Sequence, residues 1–268
     1  MRFAMFDNNR IEAEPGLSGF CPGCGLPLIA KCGTQRMHHW AHRNKMCDPW
    51  WEPETEWHRS WKGNFPVEWQ EIILNDELTG EKHIADVRTA HGMVIEFQHS
   101  RIDPLERVSR ENFYGNMVWV ADGTRLKREH QRFIDSKDHF FQINAGSFLV
   151  SNPEHSLPAA WLGSPVPVIF DFKSDQTFYG STELKEHVFC LFPIRIGTSA
   201  LLEKIPVKSF IADALNGRSS LRLRSFLNNK DQFMRDLQNQ ITMLRRMQQR
   251  QTMANFSRPV TYKRRRRY

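Results

Sequence analysis

No stretch of roughly 18 or more apolar residues occurs in this 268-residue sequence, which excludes a long hydrophobic helix able to cross a bilayer. Mean hydropathy is −0.56. The opening Met1–Asp7 lacks the apolar core of a secretory leader, because Asp7 and Asn8-Asn9-Arg10 interrupt it. Cysteine is scarce and odd in number, with five residues, four of them at positions 21, 24, 32 and 47. A disulfide framework therefore has little support, and a reducing, cytoplasmic setting with thiols available to metal is expected. No internal repeat is evident.

What the sequence does contain is material for a packed core: 40% hydrophobic residues, 8 Trp and 19 Phe. Formal net charge is +7, and Lys263–Arg267 form an unbroken basic run. That excess favours a polyanionic partner, since each phosphate contact releases counterions. A solvated tail that aids solubility fits the same run.

Cys21-Pro22-Gly23-Cys24 is a C-x2-C knuckle, in which the short gap lets both thiolates face one ion. His39-Trp40-Ala41-His42 adds two imidazoles, and thiolate with imidazole suits tetrahedral Zn²⁺ in a structural role. Cys21, Cys24, His39 and His42 are the expected ligands. His38, Cys32 and Cys47 are alternatives for the fourth position.

Downstream, the pattern predicts a helix from about Glu54, with Glu54, His58 and Lys62 on one face and Trp57 and Trp61 on an adjacent stripe. Strands follow at 67–74, 84–89 and 93–98, the last two joined by a turn at Ala90-His91-Gly92. A helix over 105–114 and a strand over 117–120 complete the order α-β-β-β-α-β. Asp86 falls on one strand, and Glu96 and Gln98 share a face of the next. Two carboxylates on adjacent strands are a common way to hold Mg²⁺ or Mn²⁺, which prefer oxygen ligands. Taken alone, a D…E-x-Q pattern also fits an ordinary exposed strand face. Glu54 and His58 lie where they can lean toward the same site, and Ser100 and Arg110 are polar groups that can meet a phosphate backbone.

The blocks Cys21-Pro22-x-Cys24, His39-Trp40-Ala41-His42, Glu54-Thr55-x-x-His58-x-x-x-Lys62, Ala85-Asp86-Val87 and Ile95-Glu96-Phe97-Gln98-x-Ser100 occur in one order, followed by Arg110, Tyr114 and Trp119-Val120. Over residues 20–125 this chain resembles the competence protein CoiA-like family, whose nuclease domain belongs to the restriction-endonuclease-like PD-(D/E)XK superfamily. The resemblance implies an α/β (α+β) restriction-endonuclease-like core and metal ligation by Asp86 and Glu96. Glu54 then corresponds to the family's helix-borne acid. Gln98 stands where the superfamily usually has Lys, and Lys62 or Arg88 are cations that can compensate. The implied activity is Mg²⁺- or Mn²⁺-dependent hydrolysis of DNA phosphodiesters, in DNA processing, competence or defence. Asp86, Glu96, Gln98, Glu54 and His58 are the expected catalytic residues, and Lys62, Arg88, Ser100 and Arg110 the expected nucleic-acid contacts. The competing reading is a zinc-stapled DNA-binding protein with a degenerate nuclease site.

The expected organisation is a zinc-binding module at 1–48, a nuclease-like core at 49–125, a mixed region of unplaced topology at 126–218, and a long helix with a basic tail at 219–268. The helix, over 219–254, is a candidate self-association surface, and Arg245, Arg246 and Arg250 near its end can track phosphates. The tail after Pro259 is expected to be disordered.

Overall fold

The structure, a computed structural model, describes residues 1–43, 47–50, 54–77, 79–173, 181–218 and 221–256. The Lys263–Arg267 run, the tail after Pro259 and residues 51–53 lie outside the described residues.

The first unit is an antiparallel sheet of β1 (Phe3–Phe6), β2 (Asn9–Glu12), β3 (Ser18–Phe20), β4 (Pro27–Lys31) and β5 (His39–His42), ordered β2-β1-β3-β4-β5. Residues 3–20 thus supply three of its five strands. Asp7 and Asn8 turn the first hairpin with φ of 47° and 62°, the left-handed conformation that Asx residues tolerate. Met1, Ala4, Ala13, Leu28 and Trp40 form its small core.

The second unit begins with α1 (Glu56–Lys62), then β6 (Gln70–Asn75), β7 (Lys82–Arg88), β8 (Val94–Gln98), α2 (Pro104–Tyr114) and β9 (Met117–Asp122). This is the expected α-β-β-β-α-β order. Helix α1 starts after Thr55 rather than at Glu54, because Thr55 and His58 form a capping box. Asp103 caps α2, and Pro104 occupies its first turn, where no N–H is needed.

The sheet does not stop at residue 125. After α3 (Lys127–Ser136) come β10 (Phe141–Asn144), β11 (Ser147–Ser151), β12 (Val168–Asp171), α4 (Ser181–Glu186), β13 (His187–Ile196) and β14 (Ser199–Pro206). These strands extend the same sheet to nine, ordered β10-β11-β14-β13-β12-β9-β8-β7-β6. β8, β9 and β12 run parallel at its centre. β9 is buried on both faces, as central parallel strands require. Its Val118 and Val120 enter one core, and its Met117, Trp119 and Ala121 the other.

The C-terminal region differs from the single long helix read from sequence. α5 (Val207–Leu215) is followed by α6 (Leu221–Asn228) and α7 (Lys230–Phe256), which fold against each other. Arg222 on α6 reaches Gln240 on α7 at 3.3 Å. A straight helix would hold these residues about 27 Å apart. The break falls at Asn229, whose side chain accepts from the Gln232 N–H at 3.1 Å, a helix-starting bond. Phe226 and Phe233 then close on Phe192 of β13.

Candidate metal centres: a Cys3His cluster and an acidic pocket

Cys21, Cys24, His42 and Cys47 bring their ligand atoms within 4.8 Å of one another. Cys21 Sγ lies 3.6 Å from Cys47 Sγ, and Cys24 Sγ lies 3.3 Å from His42 Nε2. A tetrahedral zinc with bonds of about 2.3 Å to sulfur sets ligand atoms roughly 3.7 Å apart, so this group can hold zinc. The Gly23 N–H donates to Cys21 Sγ at 3.3 Å, supporting a thiolate there. Burial pushes the Cys21 and Cys47 thiols up, and neighbouring thiols push Cys47 further. A dication reverses that penalty.

Three expected ligands are thus in the cluster, and Cys47, one of the alternatives, is the fourth. His39 is not. Its Nδ1 lies 2.8 Å from the Met37 carbonyl. His39 and His42 are three apart on β5, and side chains alternate between strand faces, so only one can face the knuckle.

The second centre lies where β6, β7 and β8 meet. Strand register places residue 71 level with residue 86, and residue 86 level with residue 96. Glu71, Asp86 and Glu96 therefore form an acidic row across three strands. At the last two the strand ladder opens. The Asp86 N–H donates to Glu96 Oε1 at 3.0 Å, and the Phe97 N–H donates to Asp86 Oδ2 at 3.0 Å. Each carboxylate thus takes a backbone bond that would otherwise go to the other strand.

Glu96 is buried, and its Oε2 accepts from Arg110 Nη1 at 3.0 Å. Burial, then the neighbouring Asp86 carboxylate, push the Glu96 carboxyl up to about 8; Arg110 offsets only part of this. Asp86 is the accessible member, with 26% of its side chain exposed. A cavity of about 70 Å³ is lined by Glu54, His58, Lys62, Glu71, Asp86 and Glu96, among others.

Lys62 is wholly inside. Its Nζ lies 2.7 Å from Glu54, 3.1 Å from Glu71 and 3.8 Å from Asp86. These carboxylates raise its pKa despite the opposing effect of burial. Glu54 also pairs with Arg59, and its carboxyl is lowered because Lys62 and Arg59 outweigh burial. His58 donates from Nε2 to the Phe97 carbonyl at 2.9 Å, while Nδ1 faces Thr55 at 2.9 Å. It fastens α1 to β8. Gln98 donates to Ser100 Oγ at 3.2 Å, ordering the turn after β8.

Of the four expected nucleic-acid contacts, Lys62 and Arg110 are buried in ion pairs and present no surface to a phosphate backbone. Arg88 and Ser100 are exposed. Among the described residues, sequence reasoning missed Glu71 and Asp48. Asp48 accepts from the Ile84 N–H at 2.8 Å and meets His83 at 3.0 Å, tying the segment after Cys47 to β7.

The chain is thus a two-sheet α/β protein carrying a Cys3His group able to bind a metal. Residues 12–49 match the model for the competence protein CoiA N-terminal domain. Competence protein CoiA of Bacillus subtilis (strain 168) is 31% identical over 143 residues, covering 48% of this chain and 38% of that protein. These matches make the chain similar to competence protein CoiA over part of its length. The aligned part spans well under half of that relative's length. No solved structure matches the chain. Among the described residues, no helix is long and apolar enough to cross a membrane.

Proposed function

We propose that this chain is a Mg²⁺- or Mn²⁺-dependent nuclease acting on DNA, with its centre at Asp86 and Glu96 and a structural zinc at Cys21, Cys24, His42 and Cys47. The observation that carries this reading is the adjacency of Asp86 and Glu96 at the point where β7 and β8 separate, with each accepting the other strand's N–H at 3.0 Å. Hard oxygen donors, a mutual repulsion that a cation relieves, and a cavity of about 70 Å³ all suit such an ion, with water and phosphate completing its shell. When bound, the ion polarises a phosphodiester oxygen and lowers the pKa of water.

The chain's own residues prepare the site. Arg110 fixes Glu96 Oε2, and Oε1 accepts the Asp86 N–H. Lys62 supplies, from helix α1, the positive charge that Gln98 does not bring on β8, and holds it 3.8 Å from Asp86. The order α-β-β-β-α-β and the resemblance to CoiA support assigning this core to the PD-(D/E)XK superfamily and the role to competence-linked DNA processing.

A cleavage panel tests this. Wild type with Mn²⁺ is expected to cut linear or single-stranded DNA, and Glu96→Ala and Asp86→Asn to lose at least ~100-fold activity while keeping the wild-type far-UV spectrum. No cleavage by wild type on any substrate would favour the second reading, a zinc-stapled DNA-binding protein. That reading draws on Gln98 and on the closed Glu96–Arg110 ion pair.

A further inference from the structure

Three polar residues follow one another across the carboxyl ends of the central parallel strands. The register that sets Gln98 beside Ala121 carries on to His99 beside Asp122, and Asp122 is level with Asp171. Side chains level with one another on parallel neighbours share a face. Asp171 is used internally: its Oδ2 accepts both indole N–H groups of α1, from Trp57 at 3.0 Å and Trp61 at 2.9 Å. Asp122 spends one oxygen on the following turn, accepting from Thr124 N and Oγ1 at 2.8 and 2.7 Å. Its other oxygen holds His99 Nδ1 at 2.7 Å.

His99 is the member that reaches solvent, with 36% of its side chain exposed. With Nδ1 held by the Asp122 carboxylate, Nε2 is the ring nitrogen left to a ligand, and in the imidazolium form it donates to a phosphate oxygen. The turn that Asp122 organises runs into Arg125, Lys127 and Arg128, all exposed, and Arg101 is exposed two residues after His99. Arg125 is three residues beyond Asp122, within about 11 Å along the chain. A positively charged rim with a fixed imidazole therefore borders the strand end that carries Gln98. Crevices at the carboxyl ends of parallel strands are where open α/β sheets bind ligands.

We propose that His99, oriented by Asp122, and Arg125 and Arg128 form a phosphate-backbone track for the nucleic-acid strand that continues past the acidic pocket. Identifying the ligand as nucleic acid rests on the nuclease reading, but the track itself is a binding surface and is tested without cleavage. Fluorescence anisotropy of a labelled 20-nucleotide single strand and its duplex, in buffer holding zinc but no Mg²⁺ or Mn²⁺, reads binding alone. Arg125→Ala/Arg128→Ala is expected to weaken binding about tenfold and to lower the salt slope by roughly one per removed contact. His99→Ala is expected to weaken it several-fold, with His99→Gln recovering part of the loss. Lys208→Ala, exposed on α5, serves as the control and leaves affinity unchanged. The arginines are exposed, so their variants keep the fold, checked by melting temperature. Wild-type affinity in both the double-arginine and the histidine variants would overturn the track, even if the protein cuts DNA. Weakened binding in a protein that never cuts DNA would support the track and overturn the nuclease reading.

Discussion

Lys62 and Glu71 form a buried ion pair at 3.1 Å, and the same Glu71 carboxylate accepts the backbone N–H groups of Arg2 and Phe3 at 2.7 and 3.1 Å. One side chain thus joins the N-terminal sheet to the acidic pocket. Glu71 reaches both because its backbone adopts φ 48°, a left-handed conformation costly for a glutamate.

Breaking this pair is expected to be expensive. Lys62→Met leaves Glu54, Glu71 and Asp86 without their shared cation, and a loss of about 3–5 kcal/mol in urea unfolding is expected. Lys62, the N-terminal ammonium and the Arg2 and Phe3 N–H groups together outweigh burial and hold the Glu71 carboxyl down at about 2, from an ordinary value of 4.5. A depressed carboxyl stabilises the fold above its unfolded value, and that contribution is lost as pH falls from about 4.5 toward 2. Wild type should therefore lose stability over Glu71→Gln across this window. Parallel pH profiles for the two proteins would contradict the assignment.

Glu96 behaves in the opposite sense. With its carboxyl raised to about 8, the folded state keeps a proton that the unfolded state releases near 4.5, so metal-free stability falls as pH rises from 4.5 to 8. A divalent cation should displace that proton. Calorimetry of Mn²⁺ binding at pH 7 in buffers of different ionisation enthalpy is expected to report release of close to one proton from wild type, and none from Glu96→Gln.

The zinc cluster gives a sharp contrast between two residues. Purified wild type and His39→Ala are expected to carry about one zinc per chain by elemental analysis. Cys47→Ser is expected to lose it. Because Asp48, next to Cys47, holds Ile84 and His83 on β7, loss of zinc should also raise amide exchange at the start of β7. Equal zinc in Cys47→Ser and wild type would contradict the Cys3His assignment.

Helices α6 and α7 are expected to be part of the fold rather than an appended arm. Phe226, Phe233, Leu237 and Ile241 are buried in the same core as Val188 and Leu201. Phe233→Ala should cost about 3–5 kcal/mol. A chain ending near Gly217 should aggregate or melt far below wild type. A folded, monomeric truncation would show instead that the hairpin is dispensable.

Much of the acidic pocket was legible because period-two alternation and a glycine turn determine which strand residues meet: Asp86, Glu96 and Gln98 follow from those alone. The same alternation puts His39 and His42 on opposite faces of β5, so only His42 faces the knuckle. Glu71 was hidden by its positive φ, which no residue type at that position announces. Lys62 and Arg110 read as phosphate contacts because charge suggests exposure, whereas here each neutralises buried carboxylates. β10 to β14 joined the central sheet through long-range pairing, β12 beside β9, which local pattern does not encode. The break at Asn229 had a local signal in Asn228-Asn229, masked by the apolar spacing that runs through it.

The most direct test of the central claim is anomalous diffraction at the manganese edge from crystals grown with zinc and soaked in Mn²⁺. A manganese peak is expected within roughly 2.0–2.3 Å of a carboxylate oxygen of both Asp86 and Glu96, and absent in Glu96→Ala. Wild-type crystals that show zinc at the Cys3His cluster but no manganese between those two carboxylates at saturating Mn²⁺ would contradict it.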